Sequence, residues 1–348
     1  MFRIVVNARS LGAPLTGVQR YTRELLSRWN GHTDQITPRT PLSGIRGHAW
    51  EQSVLPRKLA SKLLFSPSNS GPLEVRNQVV TIHDMVYFDH PETLNRNFVA
   101  WYRFMLPRLA RRVRRVITVS SFVKRRIVEQ VEIPSEKIVV IPNGVSSRFS
   151  PKAVSGRDAA IAQMGIPSTH YILALGSIEP RKNLSRLLRA WEGIQSSLPD
   201  DLWLVVAGAR GNSGIFKTVD AGKLPPRVFL TGHVSDETLP SLVAGAVAMA
   251  YPSLYEGFGL PALEAMASGV PVLAGDCPAI REVVAGAGIF VDPMDEASIA
   301  DGLLRLVNDD AVRNTLRTKG LERATQFSWD VTAQRTWDVL QEAAKEGS

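Results

Sequence analysis

Short runs rich in valine and isoleucine alternate with helical patterns along nearly all 348 residues, and this alternation constrains the fold more than any other feature. A brief apolar run closed by polar or turn residues suits a strand buried on both faces, and helices between such strands suit a parallel sheet covered on both sides. FRIVVNA, QVVTIHD, RVITVS and KIVVIPNG read as strands in the first part. From about Ser146 to Ser168 the pattern lapses into small polar residues with two prolines, then restarts with YILALGS, DLWLVVAG, RVFLTG, AVAMAYPS, PVLAG and GIFVD. The chain therefore reads as α/β, with two doubly wound parallel-sheet, Rossmann-like domains at 1–160 and 161–327. Residues 328–348 are expected to form a closing helix that packs back toward the first domain. Ligands of such sheets bind beyond the carboxyl ends of the strands. In the first half that position belongs to His83, Asp84, Ser120, Ser121, Asn143 and Gly144.

Charge is distributed unevenly. Residues 1–150 carry 23 Lys and Arg against 10 Asp and Glu, leaving 18 against 23 for the remainder. Much of the excess lies between Arg103 and Arg126. If that segment starts as a helix, Arg108, Arg111, Arg112 and Arg115 recur at three- and four-residue intervals and form one basic face. An anionic membrane surface is the natural partner, and a solvated face with no partner is the alternative. Nucleic acid is disfavoured, because the aromatic residues that single-strand binders interleave with basic ones are sparse. One cysteine, Cys277, excludes an intramolecular disulfide. No apolar run approaches the roughly 18 residues of a membrane span, and MFRIVVNARS turns polar too soon for a secretory signal. The expectation is a cytoplasmic protein, with any membrane association peripheral and on the inner face.

The segment YPSLYEGFGLPALEAMASGVPVLA, Tyr251 to Ala274, carries the strongest chemical signal. A strand gives way to a glycine-bearing loop, and Pro261 and Gly269 bracket a short helix. The amides of Phe258, Gly259 and Leu260 then face the positive end of a helix dipole, where anions or sugar hydroxyls are held. Glu264 falls among apolar helix residues and needs a hydrogen-bonding partner, for which a ribose diol is suited. Glu256, in the loop, faces another part of the same ligand. In LALGSIEPRKNLSRLLRAW, Leu173 to Trp191, Arg181 and Lys182 precede a helix where a diphosphate could be gripped. Arginine supplies a planar fork for phosphate oxygens and lysine a point charge.

EPRKN and EGFGLPALE together resemble glycosyltransferase family 4 of the GT-B superfamily. TGVQRYTREL, VTIHDMVYFDHPE, ITVSSFVKRRI, VVIPNGV, FLTGHVSDETL and FSWDVTAQ fall in that family's order, although Thr16 replaces one glycine of its first loop. The resemblance implies two Rossmann-like domains facing across a cleft, with the donor mainly on the second and the acceptor on the first. It implies that Arg181 and Lys182 hold the diphosphate, Glu264 the ribose, and Glu256 with the Phe258, Gly259 and Leu260 amides the transferred sugar. Ser177 joins the donor site, and the backbone of His233 and Val234 borders the base. Gly17 and Val18 complete the phosphate site, and His83 reaches the sugar.

No Asp-x-Asp pair exists to cage a metal, so positive side chains must take up the charge of the leaving group, with no metal and no cofactor beyond the nucleotide-sugar substrate. The resemblance further implies retention at the anomeric carbon. Front-face attack is expected, in which a donor phosphate oxygen takes the acceptor proton; a Glu256 nucleophile is the alternative. EPRKN with HDMVYFDHPE resembles bacterial mannosyltransferases of polysaccharide assembly, implying GDP-mannose as donor, with another GDP- or UDP-hexose as alternative. The acceptor is expected to be a saccharide carried on a polyprenyl diphosphate. A dehydrogenase is disfavoured because no strand leads into a three-glycine fingerprint. A non-catalytic carbohydrate- or membrane-binding protein would not need Arg181, Lys182, Glu256 and Glu264.

Overall fold

The computed structural model describes residues 4–13, 16–29, 31–42, 44–59, 62–209 and 224–346. They form two compact units, one running to Pro91 and including Arg96–Gly144 and the chain from Phe327 onward, the other comprising Glu92–Asn95 and Val145–Gln326.

The first unit is built on six parallel strands: β1 (Ile4–Asn7), β2 (Thr33–Ile36), β3 (Leu63–Ser66), β4 (Gln78–Ile82), β5 (Arg115–Thr118) and β6 (Ile138–Val140). Their order is β2-β1-β3-β4-β5-β6, so the direction of winding reverses between β1 and β3. Four of these strands lie within the apolar runs read from the sequence. Phe2 and Arg3 of the first run lie outside the described residues. β2 and β3 carry no such signal. β2 is the polar edge segment TDQI, paired with β1 alone, and β3 is LLFS, fully buried but without a β-branched residue.

The helix Trp329–Lys345 belongs to this unit. Ser328 caps it by accepting from Asp330 N, and its buried face includes Trp329, Ala333, Leu340 and Ala343. Trp29 Nε1 donates to the Ala333 carbonyl at 3.2 Å, and Arg114 donates to that of Ala343. The turn after β6 fits only because residue 144 is glycine: a Cβ there would stand 2.1 Å from Trp329 N.

The basic segment differs from expectation. Its helix, Arg96–Arg112, carries Arg108, Arg111 and Arg112 but stops before Arg115, which opens β5 and pairs with Glu346. The demand for a strand beside β4 ends the helix, so the four arginines do not share one helical face. Arg111 Nε donates to Val131 O and Arg112 Nη1 to Leu73 O, both at 3.1 Å. The Arg108 guanidinium lies 3.9 Å from the centroid of the Phe104 ring, a residue 47% exposed. Among the described residues no helix is long and apolar enough to cross a membrane.

The second unit holds β7 (Tyr171–Leu175), β8 (Trp203–Ala207), β9 (Val228–Gly232), β10 (Ala248–Tyr251), β11 (Val272–Gly275) and β12 (Gly288–Val291), again all parallel. All six fall within the runs read from the sequence. The order β12-β11-β10-β7-β8-β9 places the reversal between β7 and β10. Trp191, Leu187 and Leu188 of the helix Leu184–Ile194 share one core with Ile299, Leu303 and Leu306 of Glu296–Asn308 and with strand residues Ile172 and Leu204. The change of unit comes at Gly144 and Val145 rather than near residue 160. The cause is packing: the turn Pro151–Gly156 lies on the helix Leu239–Ala244, close enough that a Cβ on Gly156 would stand 2.4 Å from Ser241 Oγ.

Candidate active site at the switch point of the second sheet

In an open parallel sheet, the crevice where strand order reverses leaves two loops diverging from adjacent strand ends, with room between them for a ligand. Here those loops follow β7 and β10. The first begins with Gly176 at φ +145°, packed so closely on the neighbouring loop that a Cβ on Gly208 would stand 2.0 Å from the Gly176 carbonyl oxygen. Ser177 comes next, then Glu179 and the single 3-10 turn Pro180–Lys182. Asn183 closes that turn in the left-handed region, φ +62°. Its Nδ2 donates to Pro252 O at 3.0 Å and Pro293 O at 2.6 Å, and Leu254 N donates to Arg181 O at 2.8 Å. These bonds tie the turn to the loop after β10. Arg181 and Lys182 are therefore fixed by backbone and amide contacts before any ligand arrives.

Both cations reach one carboxylate. Glu256 Oε2 accepts from Arg181 Nη1 at 2.7 Å and Oε1 from Lys182 Nζ at 2.6 Å. Arg181 Nη2 also lies 2.6 Å from Oε1 of buried Glu179. Lys182 Nζ donates to the Tyr251 hydroxyl at 3.0 Å and sits 4.9 Å from that ring's centroid. Burial favours the neutral carboxyl of Glu256, but Lys182 and Arg181, aided by the Tyr251 hydroxyl, outweigh it and hold the pKa at about 2. Burial and then the Glu256 charge push the Tyr251 phenol well above its ordinary range, so it remains a donor. Two carboxylates balance two cations, which lets like charges stand together in a loop that is largely shut off from water.

The loop continues through buried Phe258 to Gly259, which caps the helix Leu260–Ala267 at φ +108°. Pro261 stands in the first turn and Gly269, φ +71°, lies beyond the last. Glu264 is buried inside this helix. Lys182, Ser177 and Tyr251 line one cavity with Gly176 and Pro252. His233 and Val234 follow β9, the edge strand, with β8 between it and β7, and His233 is exposed.

Gly17, Val18 and His83 belong to the first unit. Gly17 and Val18 open the helix Gly17–Arg28, whose capping box joins Thr16 and Gln19. One turn on, the Tyr21 ring meets His83 edge to face at 4.8 Å. His83 Nε2 lies 2.7 Å from the Pro67 carbonyl oxygen, which can only accept, so Nε2 carries the proton. Burial pulls this imidazole down to about 4, and it is neutral at pH 7.

Glu179 and Tyr251 are the members of the cluster to which the sequence reading gave no role. Tyr251 had a signal, a hydroxyl at the end of the otherwise apolar strand AMAY. Glu179 had none, because a carboxylate beside proline gives no hint of its depth.

Comparison with known proteins gives a consistent family. Residues 157–323 match the description "Glycosyl transferases group 1" and residues 67–149 "Glycosyltransferase Family 4". The chain is 31% identical over 291 residues to O-antigen chain mannosyltransferase B of Escherichia coli, covering 83% of this chain and 76% of that protein. It is 32% identical over 243 residues to O-antigen chain mannosyltransferase RfbU of Salmonella typhimurium, covering 68% of this chain and 62% of that one. The crystal structure of HepE of Anabaena in complex with UDP-glucose has the same fold, with a TM-score of 0.77 at 18% identity over 98% of this chain and all of that one.

The depressed pKa of Glu256 has a direct consequence. A carboxyl held below its unfolded value stabilises the fold above that value, and the contribution is lost as pH falls from 4.5 toward about 2. Glu256→Gln is expected to lower stability at pH 7 by roughly 3 kcal/mol, since two buried cations lose their shared partner. It should also flatten the fall in stability over that acid window. Urea denaturation from pH 7 to pH 3 checks both, and parallel profiles for variant and wild type would deny Glu256 this role.

Proposed function

The chain belongs to the group 1 glycosyltransferases of family 4, which have the GT-B fold, and from this premise we infer that it transfers mannose from GDP-mannose to a saccharide acceptor, with retention of anomeric configuration and without a divalent ion. The observation that carries the reading is the convergence of Arg181, Lys182 and Glu256 at the β7/β10 crevice.

In the proposed reaction the bond between the anomeric carbon and the diphosphate oxygen breaks. The acceptor hydroxyl oxygen bonds to the same face of that carbon, and its proton passes to the departing phosphate oxygen. Negative charge grows on the diphosphate, and Arg181, Lys182 and the Phe258, Gly259 and Leu260 amides take it up. Glu264 holds the ribose diol, Ser177 lines the donor site, and the backbone of His233 and Val234 borders the base. Glu256 serves the transferred sugar by hydrogen bonding. As a nucleophile it is disfavoured, because both of its oxygens are engaged by cations. His83 accepts a sugar hydroxyl through its unprotonated nitrogen, and the amino end of Gly17–Arg28 offers amides to phosphate. Metal independence is proposed because Arg181 and Lys182 supply fixed positive charge where a divalent ion would otherwise offset the diphosphate. Mannose as the sugar is supported by the two relatives above, both of them O-antigen chain mannosyltransferases.

The acceptor is proposed to be carried on a polyprenyl diphosphate at the inner membrane surface. Arg108, with exposed Phe104 against it, and Arg112 supply the basic and apolar groups that an anionic lipid surface attracts.

Thermal unfolding with GDP-mannose, GDP-glucose, UDP-glucose and their nucleotides tests the donor. GDP-mannose is expected to give the largest rise, about 2.7 kcal/mol of stabilisation at a hundredfold excess over its Kd. Release of GDP should persist in excess EDTA. No shift with any nucleotide sugar, or activity lost on chelation and restored by manganese, would refute the reading. For the membrane, Arg108→Glu combined with Arg112→Glu should abolish co-sedimentation with phosphatidylglycerol vesicles, and undiminished binding would remove the lipid surface from the account.

A further inference from the structure

Tyr251 ends β10, the strand beside β7 where the winding of the second sheet reverses. The rest of that strand is Ala248, Met249 and Ala250, and a phenylalanine would fill the same space without burying a hydroxyl. Tyr251 is only 2% exposed, so a hydroxyl there is tolerated only if the protein itself bonds it. It is bonded twice. Lys182 Nζ donates to it at 3.0 Å, and the hydroxyl in turn bonds Glu256, which as a carboxylate only accepts. Lys182 Nζ also donates to Glu256 Oε1 at 2.6 Å, which closes a ring of three side chains. The aromatic face gives a further hold, since Nζ lies 4.9 Å from its centroid, within the range of a cation–π contact.

This ring fixes a direction. A lysine ammonium is a point charge on a flexible stem, with three N–H bonds that turn together about the last carbon. Glu256 alone would hold one of them and leave the rotation about that bond free. Tyr251 takes a second and stops the rotation, so the third N–H has one direction left. Gly176 determines where the stem lies, because a Cβ there would stand 3.2 Å from Lys182 Cε and 3.6 Å from Nζ. Gly176, Ser177, Lys182 and Tyr251 line the same cavity. The other side of the phenol ring faces the donor loop, where a Cβ on Gly259 would stand 3.9 Å from Tyr251 Cε1. Burial and the Glu256 charge keep the phenol protonated, so it supplies orientation without disturbing the balance of two carboxylates against two cations.

We propose that Tyr251 is a positioning residue for glycosyl transfer: its hydroxyl removes the rotation that Glu256 alone leaves to the Lys182 ammonium and aims the remaining N–H into the cavity that receives the diphosphate. The proposal rests on the glycosyltransferase reading and adds to it a residue that acts only through Lys182. A kinetic signature follows. The charge of Lys182 stands near the bound diphosphate whether or not it is aimed, so donor binding changes little. Alignment matters most for the oxygen on which charge grows as the glycosyl bond breaks, so the loss falls on the rate.

A double-mutant cycle tests this on the full chain, with Tyr251→Phe, which keeps the ring and removes the hydroxyl alone, made in the wild type and in Lys182→Ala. The readout is the single-turnover rate of nucleotide release, followed for hours where it is slow, from whichever of GDP-mannose, GDP-glucose and UDP-glucose the wild type turns over. Tyr251→Phe should slow the otherwise wild-type protein about tenfold, the scale of one hydrogen bond, and change the half-saturating donor concentration by less than about twofold. In the Lys182→Ala background the same substitution should cost less than about twofold, because the group it orients is gone. An equal cost in both backgrounds would show the hydroxyl acting on packing and not through Lys182. A Tyr251→Phe protein as fast as wild type, or one whose whole loss lies in the half-saturating concentration, would also overturn the proposal. Each of these results leaves an active wild type and so sinks the role of Tyr251 alone, whereas a wild type that turns over none of the three donors refutes the glycosyltransferase reading and this proposal with it.

Discussion

Placing two positive side chains in a loop that is nearly closed to water is costly unless a carboxylate stands between them, and the second unit is arranged around meeting that need. Glu256 reaches Arg181 and Lys182 because the loops after β7 and β10 leave adjacent strands at the point where winding reverses. The pairing also depends on backbone detail. Asn183 bonds to the Pro252 and Pro293 carbonyls, and the close approach of Gly208 to Gly176 leaves no room for a side chain. Under the proposed function, a diphosphate at this turn would meet donors whose orientation is already set, leaving little reorganisation for the reaction itself.

The two sheets have a common logic with different contents. Each places its polar side chains where strand order reverses, and each buries a carboxylate that organises basic neighbours. Around Glu256 the neighbours are Arg181 and Lys182, suited to an anion. Around Glu51 they are one arginine, a histidine and a hydroxyl, with an indole close by.

Legibility in the sequence tracked burial. All six strands of the second sheet were visible because each is a short apolar run with clear ends, and the helix Leu260–Ala267 was marked by Pro261 and Gly269. β2 was hidden because an edge strand with one neighbour can be as polar as TDQI, and β3 because LLFS has no β-branched residue. Arg115 was misread for a related reason: helical spacing continues on paper past Arg112, but pairing with β4 takes the chain into a strand. Among site residues, Arg181, Lys182 and Glu256 announced themselves through local motifs. Outside that site the Glu51 cluster did not, since Asn7, Arg9, His48, Glu51 and Ser70 come together only through the β2-β1-β3 crossover, and no local pattern encodes that.

The central claim is that fixed cations beside the β7 strand absorb the charge of the departing diphosphate. Its most direct test is the single-turnover rate of GDP release from saturating GDP-mannose in an Arg181→Ala, Lys182→Ala double variant. The account predicts a fall of at least about 10²- to 10³-fold, the scale of losing preorganised electrostatic partners. A double variant that turns over at the wild-type rate would contradict it.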